Sequence, residues 1–419
     1  MEHNAYICID LKSFFASVEC VDRGLDPFET NLAVADASRG SGAITLAITP
    51  AMKKLGVKNR CRLFEIPPGI EYMTVKPRMK RYMEMSAHIY GIYLRYISAR
   101  DIHVYSIDEC FIDVAPYLHT YGKTPKEMAQ MLMDAVMTET GICATAGVGT
   151  NMFLAKVALD ITAKNAPDNI GVLDTESFRE QLWHHRPITD IWNIGRGTAK
   201  RLAKYGVYDL YGVTLMSEKL LHREFGKNAR YLIDHAHGIE PCTIADIKAY
   251  QKKSASLSHG QILFEDYNFE DALLIVKEMV DVLCLEMVQK KLVGSSIALS
   301  VNYSKEIRPP TGGSRRIGEY TNSYKALSGY FEKLYRETTR KDTPIRKVNV
   351  CVGDVVDDSY TTVNLFIKSD DIMRERRLQQ TVLAIKDKYG KNSILKGMNY
   401  FERSTARERN KTVGGHNSE

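Results

Sequence analysis

Tyr105-Ser106-Ile107-Asp108-Glu109-Cys110-Phe111-Ile112-Asp113-Val114 sets two adjacent carboxylates, Asp108 and Glu109, inside a largely apolar run. Carboxylates are rarely buried unless they are paired with a cation or bound to a metal. No Lys or Arg lies within these ten residues, so a divalent cation is the natural partner. The bland alternative is a hairpin corner. His103-Val104-Tyr105 before the pair and Cys110-Phe111-Ile112 after it read as two short strands joined tightly at the acidic residues.

Near the N-terminus, Tyr6-Ile7-Cys8-Ile9-Asp10 is a second apolar strand ending in a carboxylate, and Ser13-Phe14-Phe15-Ala16-Ser17-Val18-Glu19 follows with helical spacing. A lone Asp after a strand commonly caps the next helix, because its side chain accepts from a free backbone N–H. Two acidic strand ends carry more. If the two strands lie side by side, Asp10, Asp108 and Glu109 converge at one edge of a sheet, a ligand set suited to two Mg2+ ions in phosphoryl transfer.

The segment Ile9-Asp10-Leu11-Lys12-Ser13-Phe14-Phe15-Ala16-Ser17-Val18-Glu19, with Ser106-Ile107-Asp108-Glu109 about a hundred residues later, resembles the Y-family of translesion DNA polymerases, closest to its UmuC-like bacterial branch. The resemblance extends from residue 5 to the end of the chain. It implies an α+β, multidomain right-hand polymerase with a ferredoxin-like palm, small fingers, a helical thumb and a separate α/β little-finger domain. The implied activity is low-fidelity, template-directed addition of deoxynucleotides to a primer 3′-OH during DNA repair or the SOS response to DNA damage. The implied cofactor is a pair of Mg2+ ions, with Mn2+ or Ca2+ able to substitute in binding. The implied partners are primer-template DNA, an incoming dNTP and a sliding clamp, with the protein itself a monomer.

Carried onto this sequence, the family pattern makes Asp10, Asp108 and Glu109 the catalytic metal ligands, joined by the backbone carbonyl of Leu11. The backbone N–H groups of Ser13, Phe14 and Phe15 open a helix and can receive phosphates. Phe15 takes the steric-gate position, where a bulky ring blocks a 2′-hydroxyl; the competing reading makes one or both phenylalanines core residues. Lys53 and Lys164 are the implied triphosphate contacts. In the fingers helix after residue 50 the family's usual Tyr is replaced by Pro50 and its Arg by Lys53, which keeps the charge but not the bidentate fork. Lys164 lies one residue further from Lys156 than in many relatives, so Lys156 is a second candidate. Each lysine could also be plain surface.

Composition sets outer bounds. A chain of 419 residues, 44% hydrophobic and 26% charged, has room for two to four ordinary globular domains. A formal charge of +6 permits nucleic acid binding without demanding it. Eight cysteines without a C-x-x-C pair indicate neither a zinc ribbon nor a disulfide framework. No secretory signal and no apolar run of membrane-spanning length are found, so the expected location is cytoplasmic, with no membrane partner.

The expected organisation places the palm at 1–12 and 80–172 and the fingers at 13–79. Residues 50–56 read as a helix begun by Pro50 and closed by Gly56. Within the palm, a Met-rich helix over 125–139 and a strand over 142–149 complete a βαββαβ plan. The thumb is expected at 173–240, where Ile194-Gly195-Arg196-Gly197 opens a basic helix and resembles a helix-hairpin-helix. Gly195 and Gly197 would let backbone N–H groups approach a DNA phosphate. An irregular linker is expected at 241–253, and the little finger at 254–363 as a second βαββαβ unit. Its strands are read at 256–263, 295–302 and 345–352, its helices at 269–290 and 324–340, with a Pro-Gly turn between.

Lys253, Ser254, Ser256, Arg308, Arg315 and Arg316 are candidates for tracking the duplex backbone, with salt-dependent affinity. Thr362-Val363-Asn364-Leu365-Phe366 resembles a clamp-binding peptide with Thr362 in place of the usual Gln, and reads equally as a last strand. The tail, 364–419, is expected to hold a charged helix over 370–389 stopped at Gly390, then a polar, mobile end from 402. Nothing in the sequence resembles a proofreading exonuclease. Two rivals share parts of the pattern: a nucleotidyl cyclase, which needs no thumb or second DNA platform, and a DNA-damage accessory protein without chemistry.

Overall fold

Five of the six residues of the strand Tyr6–Leu11 are buried, which puts it in the middle of a sheet. In the computed structural model, which describes residues 4–251, 255–304, 308–362 and 369–418 and leaves the side chains of residues 165 and 369–372 aside, that sheet has five strands. Their order is Ile102–Val104, Glu109–Asp113, Tyr6–Leu11, Ala144–Gly149 and Ile170–Leu173. The first four pair antiparallel, and the last runs parallel to Ala144–Gly149. Alternation along the central strand explains why both faces are covered. Ile7, Ile9 and Leu11 join the core under the helices Met79–Tyr93 and Pro125–Thr140. Tyr6 and Cys8 pack on the other face with Phe111, Met152, Ala155, Leu159 and Ile244.

This is the expected βαββαβ plan with one strand added, Ile170–Leu173. The connection that leads to it packs unusually close to the sheet. A Cβ on Gly147 would stand 2.0 Å from the carbonyl oxygen of Ala155, and one on Gly149 would stand 2.3 Å from the nitrogen of Ala155. These glycines let the helix Met152–Val157 lie directly on the strand that starts beside Asp10.

Beside it, residues 32–75 form a three-stranded sheet in the order Ala47–Ile48, Leu32–Val34, Met73–Val75, around a small core of Ala33, Ile48, Met52, Val57, Cys61 and Ile66. The helix Pro50–Lys54 starts with Thr49 as its cap and ends before Gly56, which sits at φ +82°. Short helices from Thr175–Leu182 to Ala229–Ala236 bury a core that includes Phe153, Phe178, Leu202, Leu210, Leu221 and Leu232. The stretch 241–253, read as an irregular linker, contains a helix, Ile244–Ala249. Ile244 is buried against Tyr6 and Phe111, so this part of the chain belongs to the first sheet's covering.

The chain divides into two compact units between Tyr250 and Gln251. In the second, a five-stranded antiparallel sheet runs in the order Thr311–Thr321, Leu292–Tyr303, Ile345–Gly353, Leu257–Tyr267, with Val356–Asp357 pairing on the start of Leu292–Tyr303, and the helices Phe269–Gln289 and Tyr324–Thr338 pack on it. The strand Thr311–Thr321 is long where the sequence showed only a turn. Its glycines obscure the alternation, and Gly312 is required there: at φ +123°, its Cβ would lie 2.0 Å from the carbonyl oxygen of Leu299.

The helix Ser369–Tyr389 stops at Gly390, φ +92°, close to its expected bounds. The end expected to be mobile instead packs on the second unit. Glu278, 1% exposed on the helix Phe269–Gln289, accepts from Asn399 Nδ2 at 3.2 Å, Ser404 Oγ and the Thr405 backbone N–H at 3.2 Å, with Arg409 at 3.6 Å. A buried carboxylate needs such partners, and this segment supplies them.

Gly147→Ala tests the close strand–helix approach. Forcing a methyl group against helix backbone should cost about 1–3 kcal/mol, read as a lower midpoint of urea unfolding for the variant.

Candidate active site

Asp10 and Glu109 are direct partners across the antiparallel pair of Tyr6–Leu11 and Glu109–Asp113. The Leu11 N–H donates to the Asp108 carbonyl oxygen at 3.0 Å, so all three acidic residues sit at the same end of the sheet. The turn that delivers Asp108 is tightly tied. Backbone N–H groups of Tyr105 and Ser106 both donate to the Glu109 carbonyl, at 2.9 and 3.0 Å, and Ser106 Oγ donates to Asp108 Oδ1 at 2.6 Å.

Crowding like charges at one sheet edge has an electrostatic signature. Asp10 is pushed up to about 7, first by burial, then by the charges of Asp108 and Glu109, with Lys156 opposing. Glu109 is engaged from the interior: its Oε1 lies 3.0 Å from Lys156 Nζ and accepts from Cys8 Sγ at 3.1 Å. Among the described residues, no three His, Cys, Asp or Glu side chains meet in metal-holding geometry, and Glu109's inward pairing is one reason. The donor set itself fits a hard divalent cation, since Asp10, Asp108 and Glu109 offer carboxylate oxygens whose mutual repulsion such an ion would relieve.

Lysines face this edge. The Lys53 ammonium is held below its ordinary range by loss of solvent and by the charges of Lys12 and Lys164, while Asp10 opposes the shift. Lys12 and Lys164 thus lie near Lys53, and Lys53 near Asp10. Lys156 also acts on Asp10, but from a buried position. It is 8% exposed and pairs with Asp160 Oδ1 at 2.8 Å as well as with Glu109; burial alone would lower its affinity for a proton, but these carboxylates raise it.

The helix Phe14–Val21 begins after Ser13, which adopts a left-handed backbone at φ +50°, ψ +41°. Among the described residues, nothing accepts from the backbone N–H groups of Ser13, Phe14 and Phe15, and the Ser13 hydroxyl is buried without a partner. Phe14 is 2% exposed and belongs to the core, whereas Phe15 is only partly buried. Its ring stacks on Tyr82 with centroids 4.5 Å apart and planes 18° from parallel.

Beneath that stack lies a network the sequence reading missed. Tyr82 Oη donates to Glu19 Oε1 at 2.7 Å, and Glu19, wholly buried, also pairs with Arg78, at 2.9 Å through each carboxylate oxygen, and with Arg23. Burial would raise the Glu19 carboxyl, but hydrogen bonds from Arg78, Tyr82 and Arg23 hold it below the usual carboxylate range. A signal was present: Glu19 stands four residues after Phe15 on the helix, between Val18 and Cys20, which is an acid on an apolar face.

Gly195 caps the helix Arg196–Ala203. Neither Gly195 nor Gly197 has positive φ, and a Cβ on either would meet nothing within 4 Å. The chain's own packing therefore does not call for these glycines. Trp192, three residues earlier, donates from Nε1 to Tyr105 Oη at 3.2 Å and so touches the acidic hairpin.

In the second unit, Arg315 and Arg316 are exposed on Thr311–Thr321, opposite Ile297 and Ser296. Arg308 is exposed, and Ser256 is exposed one residue before the strand that starts at Leu257. Lys253, Ser254, Val363, Asn364, Leu365 and Phe366 lie outside the described residues. Thr362 exchanges hydrogen bonds with Tyr320, donating from its N–H to the carbonyl at 3.0 Å and accepting at Oγ1 from the N–H at 2.8 Å. No helix among the described residues is long and apolar enough to cross a membrane.

An acid-tipped split βαβ sheet, a small neighbouring subdomain, a helical segment and a separate α/β unit define a right-hand nucleic acid polymerase. Residues 9–160 match the impB/mucB/samB family and residues 254–365 match that family's C-terminal domain. UvrX of Bacillus subtilis, a protein named for UV-damage repair, is 32% identical, over 98% of this chain and 97% of its own. DNA polymerase IV 2 of Halalkalibacterium halodurans is 30% identical, over 97% and 98% respectively. Among solved structures, a Y-family DNA polymerase chimera of Dbh and Dpo4 shares the fold, with a TM-score of 0.64, 21% identity, and coverage of 84% of this chain and 99% of that one. The chain belongs to the Y-family of translesion polymerases and is a DNA-directed DNA polymerase.

The raised Asp10 carboxyl gives a pH test. Stability carried by its protonated form is fully present below the ordinary carboxylate value of about 4 and is lost as pH rises through about 7. In chelator, Asp10→Asn should flatten the fall of the urea midpoint across that window. An equal fall in both proteins would overturn the assignment.

Proposed function

We propose that Asp10, Asp108 and Glu109, with the Leu11 carbonyl, hold two divalent cations, ordinarily Mg2+, and that Mn2+ or Ca2+ can replace them in binding. When bound, such ions lower the pKa of an attacking hydroxyl and neutralise charge on a departing pyrophosphate. The reaction is attack of a primer 3′-hydroxyl on the α-phosphate of an incoming dNTP, with pyrophosphate leaving. The observation that carries this reading is the pairing of Asp10 with Glu109 at one sheet end, where burial and then the charges of Asp108 and Glu109 raise the Asp10 carboxyl.

In this reading the chain's own groups bind and orient. Lys53 and Lys164 receive the triphosphate, and the open N–H groups of Ser13, Phe14 and Phe15 receive its oxygens at a helix start. Phe15, fixed from behind by Tyr82, stands against the sugar. Gly195 and Gly197 admit a DNA phosphate to the helix they open, and Lys253, Ser254, Ser256, Arg308, Arg315 and Arg316 follow the duplex backbone. The domains divide as palm 1–12 and 80–172, fingers 13–79, thumb 173–240, linker 241–253, little finger 254–363 and tail 364–419. The biological role is damage tolerance by a cytoplasmic monomer, recruited by a sliding clamp at residues 362–366. UvrX's name, which assigns it to UV-damage repair, is in keeping with that role.

Primer extension with Mg2+ tests the reading directly, and a cyclase would show no dependence on primer-template. Asp108→Ala should abolish extension while primer-template affinity stays unchanged; normal extension would remove the metal site. Phe15→Ala should admit ribonucleotides with deoxynucleotide use largely intact, measured as the ratio of kcat/KM for the two sugars.

A further inference from the structure

The helix that starts at Met152 changes its winding twice. Met152–Val157 is α-helical, Ala158–Thr162 opens into a π-turn, and Ala163–Asn165 tightens to a 3-10 turn. A π-turn closes on the fifth residue rather than the fourth, so it takes in one extra residue, and such turns occur mostly as single bulges at functional sites. Both flanks of this one are pinned by close packing. Upstream, Ala155 lies against Gly147 and Gly149; downstream, a Cβ on Gly171 would stand 2.4 Å from the Ala158 carbonyl oxygen and 2.8 Å from the Ala163 nitrogen. The helix can neither slide nor rotate, and the extra residue bulges.

The bulge falls between Lys156 and Lys164, eight residues apart. In a regular α-helix the eight-residue step overshoots two turns by about 80°. With one residue absorbed, the step spans what seven residues would, within about 20° of two full turns. Lys164 is thereby returned to the side that faces Lys53, whose ammonium feels its charge. Lys164 is exposed, and among the described residues it has no recorded carboxylate partner. Lys156, by contrast, is buried between Glu109 and Asp160.

We infer that the π-turn assigns the two lysines of this helix different tasks: Lys156, braced by Asp160, is a positioning residue that holds Glu109, whereas Lys164 joins Lys53 in meeting the nucleotide's charge. This rests on the proposed reading of the carboxylates as a metal site and of the incoming nucleotide as a triphosphate. Lys156 neutralises Glu109 from inside the protein, so the three acids can share an edge without the buried lysine having to reach substrate. Removing its charge would leave Glu109 without its interior partner and free to adopt other orientations.

The test uses the full chain on a dideoxy-terminated primer-template, with matched dNTP affinity measured at equilibrium in Ca2+, and kcat measured on an extendable primer in Mg2+. Lys164→Ala should weaken dNTP binding about tenfold. Lys156→Met should leave dNTP affinity within about twofold, lower kcat at least tenfold and weaken Mn2+ binding to the protein–DNA complex, read by electron paramagnetic resonance, by about 10–100-fold. Asp160→Asn should follow Lys156→Met in a milder form.

Deletion of Thr162, whose hydroxyl is buried without a partner, should keep dNTP affinity within about threefold, because a regular helix then delivers Lys164 in phase. An Ala inserted after Thr162 should reproduce the Lys164→Ala loss. Loss of dNTP affinity in Lys156→Met, or none in Lys164→Ala, overturns the division of tasks, and those two substitutions decide the matter even if the deletion variant fails to fold. Absence of Mg2+-dependent extension by the unsubstituted protein would instead defeat the underlying reading.

Discussion

Like charges crowded at one end of a buried sheet are the constraint around which the first unit is organised. A strand tipped with Asp10 lies beside a hairpin that delivers Asp108 and Glu109, and backbone bonds fix the turn so that the acids cannot drift apart. The surroundings answer that repulsion in layers. Lys156 and Cys8 hold Glu109 from below, Lys53 stands near Asp10 with Lys12 and Lys164 near Lys53, and a divalent cation would complete the balance. Gly147 and Gly149 belong to the same arrangement, because only without side chains can they let the lysine-bearing helix lie close enough for Lys156 to reach Glu109.

Much of this was legible because each signal was local. Apolar strands ending in Asp10 and in Asp108-Glu109 announced both the sheet and its acidic edge, and Pro50 and Gly56 bounded a helix through their backbone preferences alone. What escaped depended on long-range pairing. Glu19 is explained by Tyr82 and Arg78, some sixty residues away, and Glu278 by residues 399–409. The helix Ile244–Ala249 was hidden by its shortness, and the strand Thr311–Thr321 by glycines whose purpose is visible only beside Leu299.

The pair of phenylalanines shows how a fold separates neighbours. Consecutive residues on a helix point about 100° apart, so Phe14 enters the core while Phe15 remains at its margin. Phe15 is then not a loose ring. Tyr82 backs it, Glu19 holds Tyr82 in place, and Arg78 and Arg81 extend the ion pairs to Asp22. Any selectivity exerted by Phe15 depends on a charge network anchored on the buried Glu19.

Glu278 has a consequence for how the polypeptide is made. Its carboxylate lies in the middle of the second unit's longest-buried helix, yet Asn399, Ser404, Thr405 and Arg409 are translated more than a hundred residues later. During synthesis the sheet strands and both packing helices leave the ribosome while that acid is still without its partners. The nascent unit must keep the site wet until those partners emerge. Completion of the second unit therefore waits on residues 399–409, and a chain cut short before them would leave a charged gap in an otherwise apolar layer.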